Sequence, residues 1–154
     1  MMIGTAQART CFYLPTPPSL PENWHYKDIN AAQSLIELNG NHWRKILTIM
    51  AKIMVSDQDW RQYRDIQLLK HEESITIAAQ SLLSESKVHI ICGQESAHRL
   101  QLNIDEFISI SAQSNSLLKH PRQPIYLCPY LDYRQFPNKQ INLLRQELGL
   151  QSLD

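Results

Sequence analysis

The densest group of chemically useful side chains is the run Pro129-Tyr130-Leu131-Asp132-Tyr133-Arg134-Gln135-Phe136-Pro137-Asn138. Tyrosine offers a flat apolar face with a hydroxyl at its tip. Arginine offers a planar fork of donors suited to a carboxylate, a phosphate or the edge of a base. Tyr130, Asp132, Tyr133 and Arg134 are therefore ligand-binding candidates. The alternative is that Asp132 and Arg134 pair with each other or cap the following helix, while the rings close the core. A second candidate is Gly93-Gln94-Glu95-Ser96. Gly93 permits a close backbone turn, and the helix start behind it offers free N–H groups to an anion or a carbonyl oxygen. Glu95 has a plainer role available, as the acidic complement of that helix's dipole. Thr16 is the polar residue of a third run, Pro15-Thr16-Pro17-Pro18. His42 and Arg44 belong to a fourth, Gly40-Asn41-His42-Trp43-Arg44-Lys45. Basic residues at a helix start oppose its dipole, so these need a partner such as Asp28 or a ligand phosphate.

Other chemistry lacks its pattern. Cys11, Cys92 and Cys128 are far apart in apolar segments and read as reduced core residues. None has a Cys or His neighbour at metal-ligand spacing. His89 alternates within a strand, His98 lies on a helix, and His71 and His120 are expected at the surface. There is no phosphate-binding Gly-rich loop, nucleophile elbow or recognisable Ser/His/Asp set. With 4 glycines in the chain, little backbone is free to cradle a phosphate chain. No metal and no cofactor is expected, and no catalytic residue is assigned.

The elements that must position these runs follow from hydrophobic spacing. Residues 1–9 are small and polar and read as a flexible N-terminal segment; residues 10–154 read as one α/β domain. Thr10 to Leu14 is a β-forming strand that runs into a proline-rich loop. Asn30 is placed to cap a helix over Ala31 to Leu38. Asn41 is placed to cap a stronger one in which Trp43, Ile46, Leu47, Met50, Ile53 and Met54 share a face. Another helical stretch starts at Ser56-Asp57. Glu72 to Leu83 reads as a helix, with Ser74 to Ala78 as an alternative strand. Lys87–Cys92, Phe107–Ser111 and Pro124–Cys128 read as strands. Gln94–Leu102 reads as a helix, as does the segment from Pro137 or Asn138 to Gly149. Strands separated by helices imply three layers with a mostly parallel central sheet flanked by helices. Right-handed crossovers gather the strand ends on one edge, where ligands of such sheets bind. Pro15–Pro18, Gly93–Ser96 and Pro129–Arg134 should meet there.

Composition narrows the class. The chain has 154 residues, 43% hydrophobic and 19% charged, the balance of a globular domain. Lys+Arg and Asp+Glu are both 15, so there is no overall basic surplus of the kind that favours nucleic acid. No apolar run approaches the roughly 20 residues needed to span a bilayer. The first nine residues lack the pattern of a signal peptide, so a cytoplasmic location is expected.

The order of the pieces resembles the uracil-DNA glycosylase superfamily. Cys11 to Pro18 is similar to that family's first strand and Pro-containing loop, and Gly40–Leu47 to its early helix. Val88–Ala97 is similar to the strand, glycine and helix that follow. Ile125–Tyr130 is similar to the closing strand and motif. The resemblance implies a glycosylase-like fold with its cleft at the strand ends. Two departures bear on activity. The first loop reads Leu14-Pro15-Thr16-Pro17, without the Asp or Asn that activates water in the family. Cys128-Pro129-Tyr130 stands where the family has His-Pro-Ser. The leading expectation is therefore a non-catalytic binding domain. Its partner would be a nucleobase-like small molecule or a nucleic-acid segment stacked on aromatics. One alternative is a hydrolase of an N-glycosidic or related bond, with Asp132 or Glu95 as base. Another is a protein-interaction module using Trp24, Tyr26 and the proline-rich loop.

Overall fold

A strand buried on both faces needs near-continuous apolar sequence, whereas an edge strand does not. That rule arranges the sheet of the computed structural model, which describes residues 1–154. Its strands are β1 (Met2–Ile3), β2 (Thr10–Leu14), β3 (Glu73–Ile77), β4 (Val88–Cys92), β5 (Ile108–Ser111), β6 (Ser114–Lys119) and β7 (Ile125–Cys128). Across the sheet they lie in the order β1-β3-β2-β4-β7-β6-β5. The four central strands, β3, β2, β4 and β7, are parallel to one another. Every residue of β2 is buried. The pairings β1–β3, β7–β6 and β6–β5 are antiparallel. The sheet is thus mixed, a correction to the mostly parallel sheet expected from sequence.

The helices are α1 (Ala31–Asn39), α2 (Asn41–Met54), α3 (Trp60–Gln62), α4 (Gln94–Arg99) and α5 (Asn138–Glu147). α3 widens directly into a single π-helical turn, Tyr63–Gln67. The apolar stripe of α2 (Trp43, Ile46, Leu47, Met50 and Ile53) packs with residues of α1 and α5 against Phe12, Leu14 and Ile90, forming the larger core. On the opposite face Cys11, Tyr13 and Ile91 meet Ala97 and Leu100 of α4 and its C-terminal end in a smaller core. Neither Asn30 nor Asn41 makes the expected side-chain cap. Gly40, with φ +76°, joins α1 to α2 directly.

Two further expectations are corrected, and one strand, β6, was not expected at all. Residues 1–9 do not form a flexible segment: β1 pairs with β3, and Ile3 and Ala8 are buried. Glu72–Leu83 is not a helix. Its Ser-Ile-Thr-Ile alternation suits a pleated strand, and the β-branched residues settle it as β3. β6 was hidden because Ser114-Asn115-Ser116 has low strand propensity. Its pairing with β5 and β7 supplies the stability that the local sequence does not.

Two buried polar groups hold loops to this frame. Glu73, at the amino end of β3, accepts hydrogen bonds from the Leu69 N–H and the Tyr63 hydroxyl, each at 2.7 Å. Burial pushes its carboxyl up to about 7, against the pull of those two donors. Arg145 is 0% exposed. It donates to the carbonyls of Lys52 and Val55 at 2.8 and 2.6 Å and of Gln151 at 2.7 Å. A cation at the C-terminal end of α2 complements that helix's dipole and satisfies its last carbonyls.

Candidate functional site

In the sheet order, β2 is flanked by β3 on one side and β4 on the other, so the chain reverses its direction of travel at β2. The connection from β2 to β3 carries α1, α2 and α3 on one face, while the one from β4 to β7 carries α4 on the other. Two connections leaving on opposite faces open a crevice at the carboxyl ends of the strands. A cleft of about 870 Å³ lies there, lined by residues that follow β2 (Pro15, Thr16), β4 (Gly93, Gln94, Glu95) and β7 (Pro129, Tyr130). This is within the size range of small-molecule sites.

The cleft has a thiol floor, an aromatic wall and an amide rim. Cys92 and Cys128, paired in register on β4 and β7, form the floor, with sulfurs 4.0 Å apart. Burial drives the Cys92 thiol well above its ordinary value, which favours the protonated form. Tyr130 supplies the wall. Gly93 adopts φ +92°, and a Cβ there would lie 3.5 Å from the Tyr130 side chain. The glycine thus serves the turn, and the ring lies at ordinary contact distance beside it. The Tyr130 hydroxyl reaches across the mouth to His42 Nε2 at 2.6 Å, tying the start of α2 to the loop after β7. Burial, with Cys92, Asp132 and Glu95 adding to it, pushes Tyr130 up to about 12, so it stays a neutral phenol. Gln94, Asn115 and Gln135 bring three amides to the lining, and Thr16 and Ser116 bring two hydroxyls. No lysine or arginine lines it, and Glu95 is its single carboxylate.

The chain's relatives add a family. The model of a family of unknown function, DUF6942, matches residues 1–149. The chain belongs to it. No curated protein and no solved structure matches the chain.

Within this DUF6942 chain the sequence candidates divide into two groups. Thr16, His42, Gly93, Gln94, Glu95 and Tyr130 line the cleft; Arg44, Asp132, Tyr133 and Arg134 do not. Arg44 turns to the Asn41 side-chain carbonyl of its own helix rather than to Asp28, which accepts instead from the His25 N–H. Asp132 accepts from the Arg134 N–H at 3.0 Å and from Lys45 at 3.4 Å. The N–H bond first, then Lys45, holds its carboxyl below the usual range. Asp132 is therefore a turn-former and ion-pair partner, which removes it as a general base. Tyr133 faces Lys45 and Lys52 on α2, away from the cleft. The reason is local: hydrogen bonds from the Gln135 and Phe136 N–H groups to the Asp132 carbonyl curl the loop. The curl buries Leu131 and Phe136 and sends alternate side chains to different faces.

Sequence reasoning missed Asn115, Ser116 and Gln135. Gln135 lay inside a run already singled out. Asn115 and Ser116 required knowledge that β6 lies beside β7. Trp24 and Tyr26 pack against the larger core, and the Trp24 indole N–H is spent on the Ala31 carbonyl at 2.9 Å. They do not form the free apolar patch that an interaction module needs. No group of three or more His, Cys, Asp or Glu side chains is placed to hold a metal ion, and no helix is long and apolar enough to cross a membrane.

Proposed function

We propose that the cleft binds an uncharged, planar, nucleobase-like molecule and that the domain acts on it by binding rather than by catalysis. The observation that carries this reading is the lining itself: three amides, two hydroxyls and one neutral tyrosine, with no lysine or arginine. Amides present paired donors and acceptors to the edge of a heterocycle, and Tyr130 offers a ring face beside it. A lining with no lysine or arginine and one carboxylate, Glu95, favours a neutral ligand over a phosphate, so bases and nucleosides should bind better than nucleotides. The kinship with the uracil-DNA glycosylase superfamily stays part of this proposal. It is supported by the order of matching segments and by the gathering of Pro15, Gly93 and Tyr130 around one cleft.

Calorimetric titration with the free nucleobases, their nucleosides and the matching 5′-monophosphates tests the proposal. At least one base or nucleoside should bind, and its monophosphate should bind more weakly. Tyr130→Ala or Gln135→Ala should weaken binding by about tenfold or more, the effect of losing one well-made buried contact. Arg134→Ala, outside the cleft, should leave it unchanged. Failure of every base and nucleoside to bind, or equal binding by the Tyr130→Ala variant, would end the reading.

A second reading is favoured by one observation: Glu95 is the only carboxylate in the cleft. It pairs with Arg99 at 3.3 Å, one turn along α4. A hydrolase of N-glycosidic bonds would use it to activate water. Release of free base from nucleosides by the wild-type chain, lost in Glu95→Gln, would establish that reading in place of simple binding.

A further inference from the structure

The residues that the loop after β7 turns away from the cleft lie on a second surface. Along α2, Lys45 and Lys52 are two turns apart, about 10 Å at 1.5 Å per residue. Tyr133 sits between them, its ring centre 5.8 Å from the Lys45 ammonium and 5.9 Å from that of Lys52. Beyond Lys52 comes Trp60. The Lys52 ammonium lies 4.9 Å from the centre of that ring, the Arg61 guanidinium 4.8 Å and the Arg64 guanidinium 5.6 Å. Cations and rings thus alternate in one continuous stripe: Lys45, Tyr133, Lys52, Trp60, Arg61.

The charges of this stripe are only partly compensated. Lys45 has Asp132 and Arg64 has Asp65. Lys52 and Arg61 take part in no ion pair; Lys52 donates only to the Asn138 side-chain carbonyl at 3.0 Å. The nearby acids Asp57 and Asp59 are used in the turn before α3, where their carboxylates accept from the Asp59 and Gln62 N–H groups. Asp154 lines the shallow cavity beside Lys52 and Trp60 but forms no salt bridge with the lysine. Arg145 lies wholly buried at the end of α2, where it contacts the Lys52 carbonyl, and it has no carboxylate partner either. Burial, and then the Arg61 charge, hold Lys52 below the usual lysine range. Two like charges crowded around one indole without a counter-ion form a site that an anion would relieve.

We propose that the stripe Lys45–Tyr133–Lys52–Trp60–Arg61 binds single-stranded nucleic acid, with phosphates against Lys52 and Arg61 and bases against the exposed edge of the aromatic run. Lys52 and Arg61 flank one ring, but the run continues from there through Tyr133 to Lys45, about 10 Å along α2, and this length favours a phosphodiester chain over one phosphate. Its interleaved rings favour a nucleic acid over an acidic peptide, because sequence-independent strand binding combines a basic track with aromatic stacking. Tyr133 is 43% exposed and open to such contact. The chain's zero net charge is consistent with this arrangement, which needs a local excess and not a global one. The surface is separate from the cleft, and the inference stands whatever the cleft binds.

Fluorescence anisotropy with a labelled oligothymidylate of about 20 nucleotides, titrated with the full chain at about 50 mM salt, is the test. Wild type should bind, and added salt should weaken binding. Lys52→Glu with Arg61→Glu should weaken it by about tenfold or more, and the Lys52→Gln, Arg61→Gln pair should reduce the salt slope by about 1.4, or about 0.7 for each lost phosphate contact. The glutamine pair, with its melting temperature checked against wild type, keeps the test valid if the charge reversal unfolds the chain. Tyr133→Ala should weaken binding by about fivefold or more through lost stacking. Excess free thymidine, which would compete for the cleft, should not displace the oligonucleotide, and this separates failure of this surface from failure of the cleft. Absence of wild-type binding, or indifference to the Lys52 and Arg61 changes, overturns the proposal. So does equal competition by polyphosphate or polyglutamate together with no effect of Tyr133→Ala, since the surface would then read charge alone.

Discussion

At the amino edge of the parallel strands, the carboxyl of Glu73 is sealed from solvent, with one oxygen on the Leu69 N–H and the other on the Tyr63 hydroxyl. At the carboxyl edge, Glu95 stands largely in solvent at the mouth of the cleft, paired loosely with Arg99. Burial makes Glu73 the carboxyl most displaced from ordinary behaviour, yet both its oxygens are spent on the protein and it does not line the main cleft. A perturbed acid is a fair pointer to a working site only when it is also open to a partner. Here the displaced group is an anchor for a π-helical turn, and the cleft on the opposite edge is lined mainly by amides, hydroxyls and a neutral tyrosine, with Glu95 its one carboxylate.

The contrast breaks most visibly at the anchor. Glu73→Leu leaves the Leu69 N–H and the Tyr63 hydroxyl without their buried partner. At pH 5 it should lower unfolding free energy by about 3 kcal/mol, the scale of two orphaned polar groups. Denaturant melts measure this, and the folded fraction should still bind its cleft ligand with native affinity. A loss of cleft affinity would join the two edges into one functional unit.

Glu73→Gln sharpens the same point through pH. Because folding raises this carboxyl from 4.5 to about 7, its stabilising contribution is fully present below pH 4.5 and is lost as pH rises through 7. The glutamine variant keeps a carbonyl for the Leu69 N–H and cannot ionise. Its stability relative to wild type should therefore rise between pH 5 and pH 8, by an amount on the order of 3 kcal/mol. Parallel stability curves for the two proteins across that interval would show that Glu73 does not titrate there.

The smallest of these effects on stability belongs to the carboxyl edge. Gly93→Ala forces a side chain onto a backbone at φ +92° and sets its Cβ 3.5 Å from the Tyr130 ring. About 1–2 kcal/mol of stability should be lost to backbone strain, while ligand affinity stays near that of wild type, since the added methyl meets the ring at an ordinary contact distance. Thermal melts and calorimetry on one preparation separate the two. A large loss of affinity would show instead that the positive-φ turn itself positions the wall of the site.

The strong local signals of the sequence correspond to real elements, and the weak ones explain what was misread. The stripe from Trp43 to Ile53, the glycine after Cys92 and the proline after Cys128 were legible because period, turn chemistry and strand burial agree at those places. β6 was not, since Ser114-Asn115-Ser116 becomes a strand only through neighbours that no local pattern encodes. The loop from Pro129 to Asn138 was recognisable as chemically rich, but its curl about the Asp132 carbonyl decides which side chains face the cleft. That curl assigns Tyr130 and Gln135 to one surface and Tyr133 to another, and side-chain type alone carries no such information.

The position of β2 also constrains when the protein can fold as it is synthesised. β2 is bordered on both sides by strands made after it, β3 ending at Ile77 and β4 ending at Cys92. Until those are made, Thr10 to Leu14 is an apolar segment with no partner, of the kind that invites chaperones or aggregation. The pocket comes later still, because its wall arrives with Tyr130. A ribosome stalled before that residue would present a partial sheet with its rim unfinished.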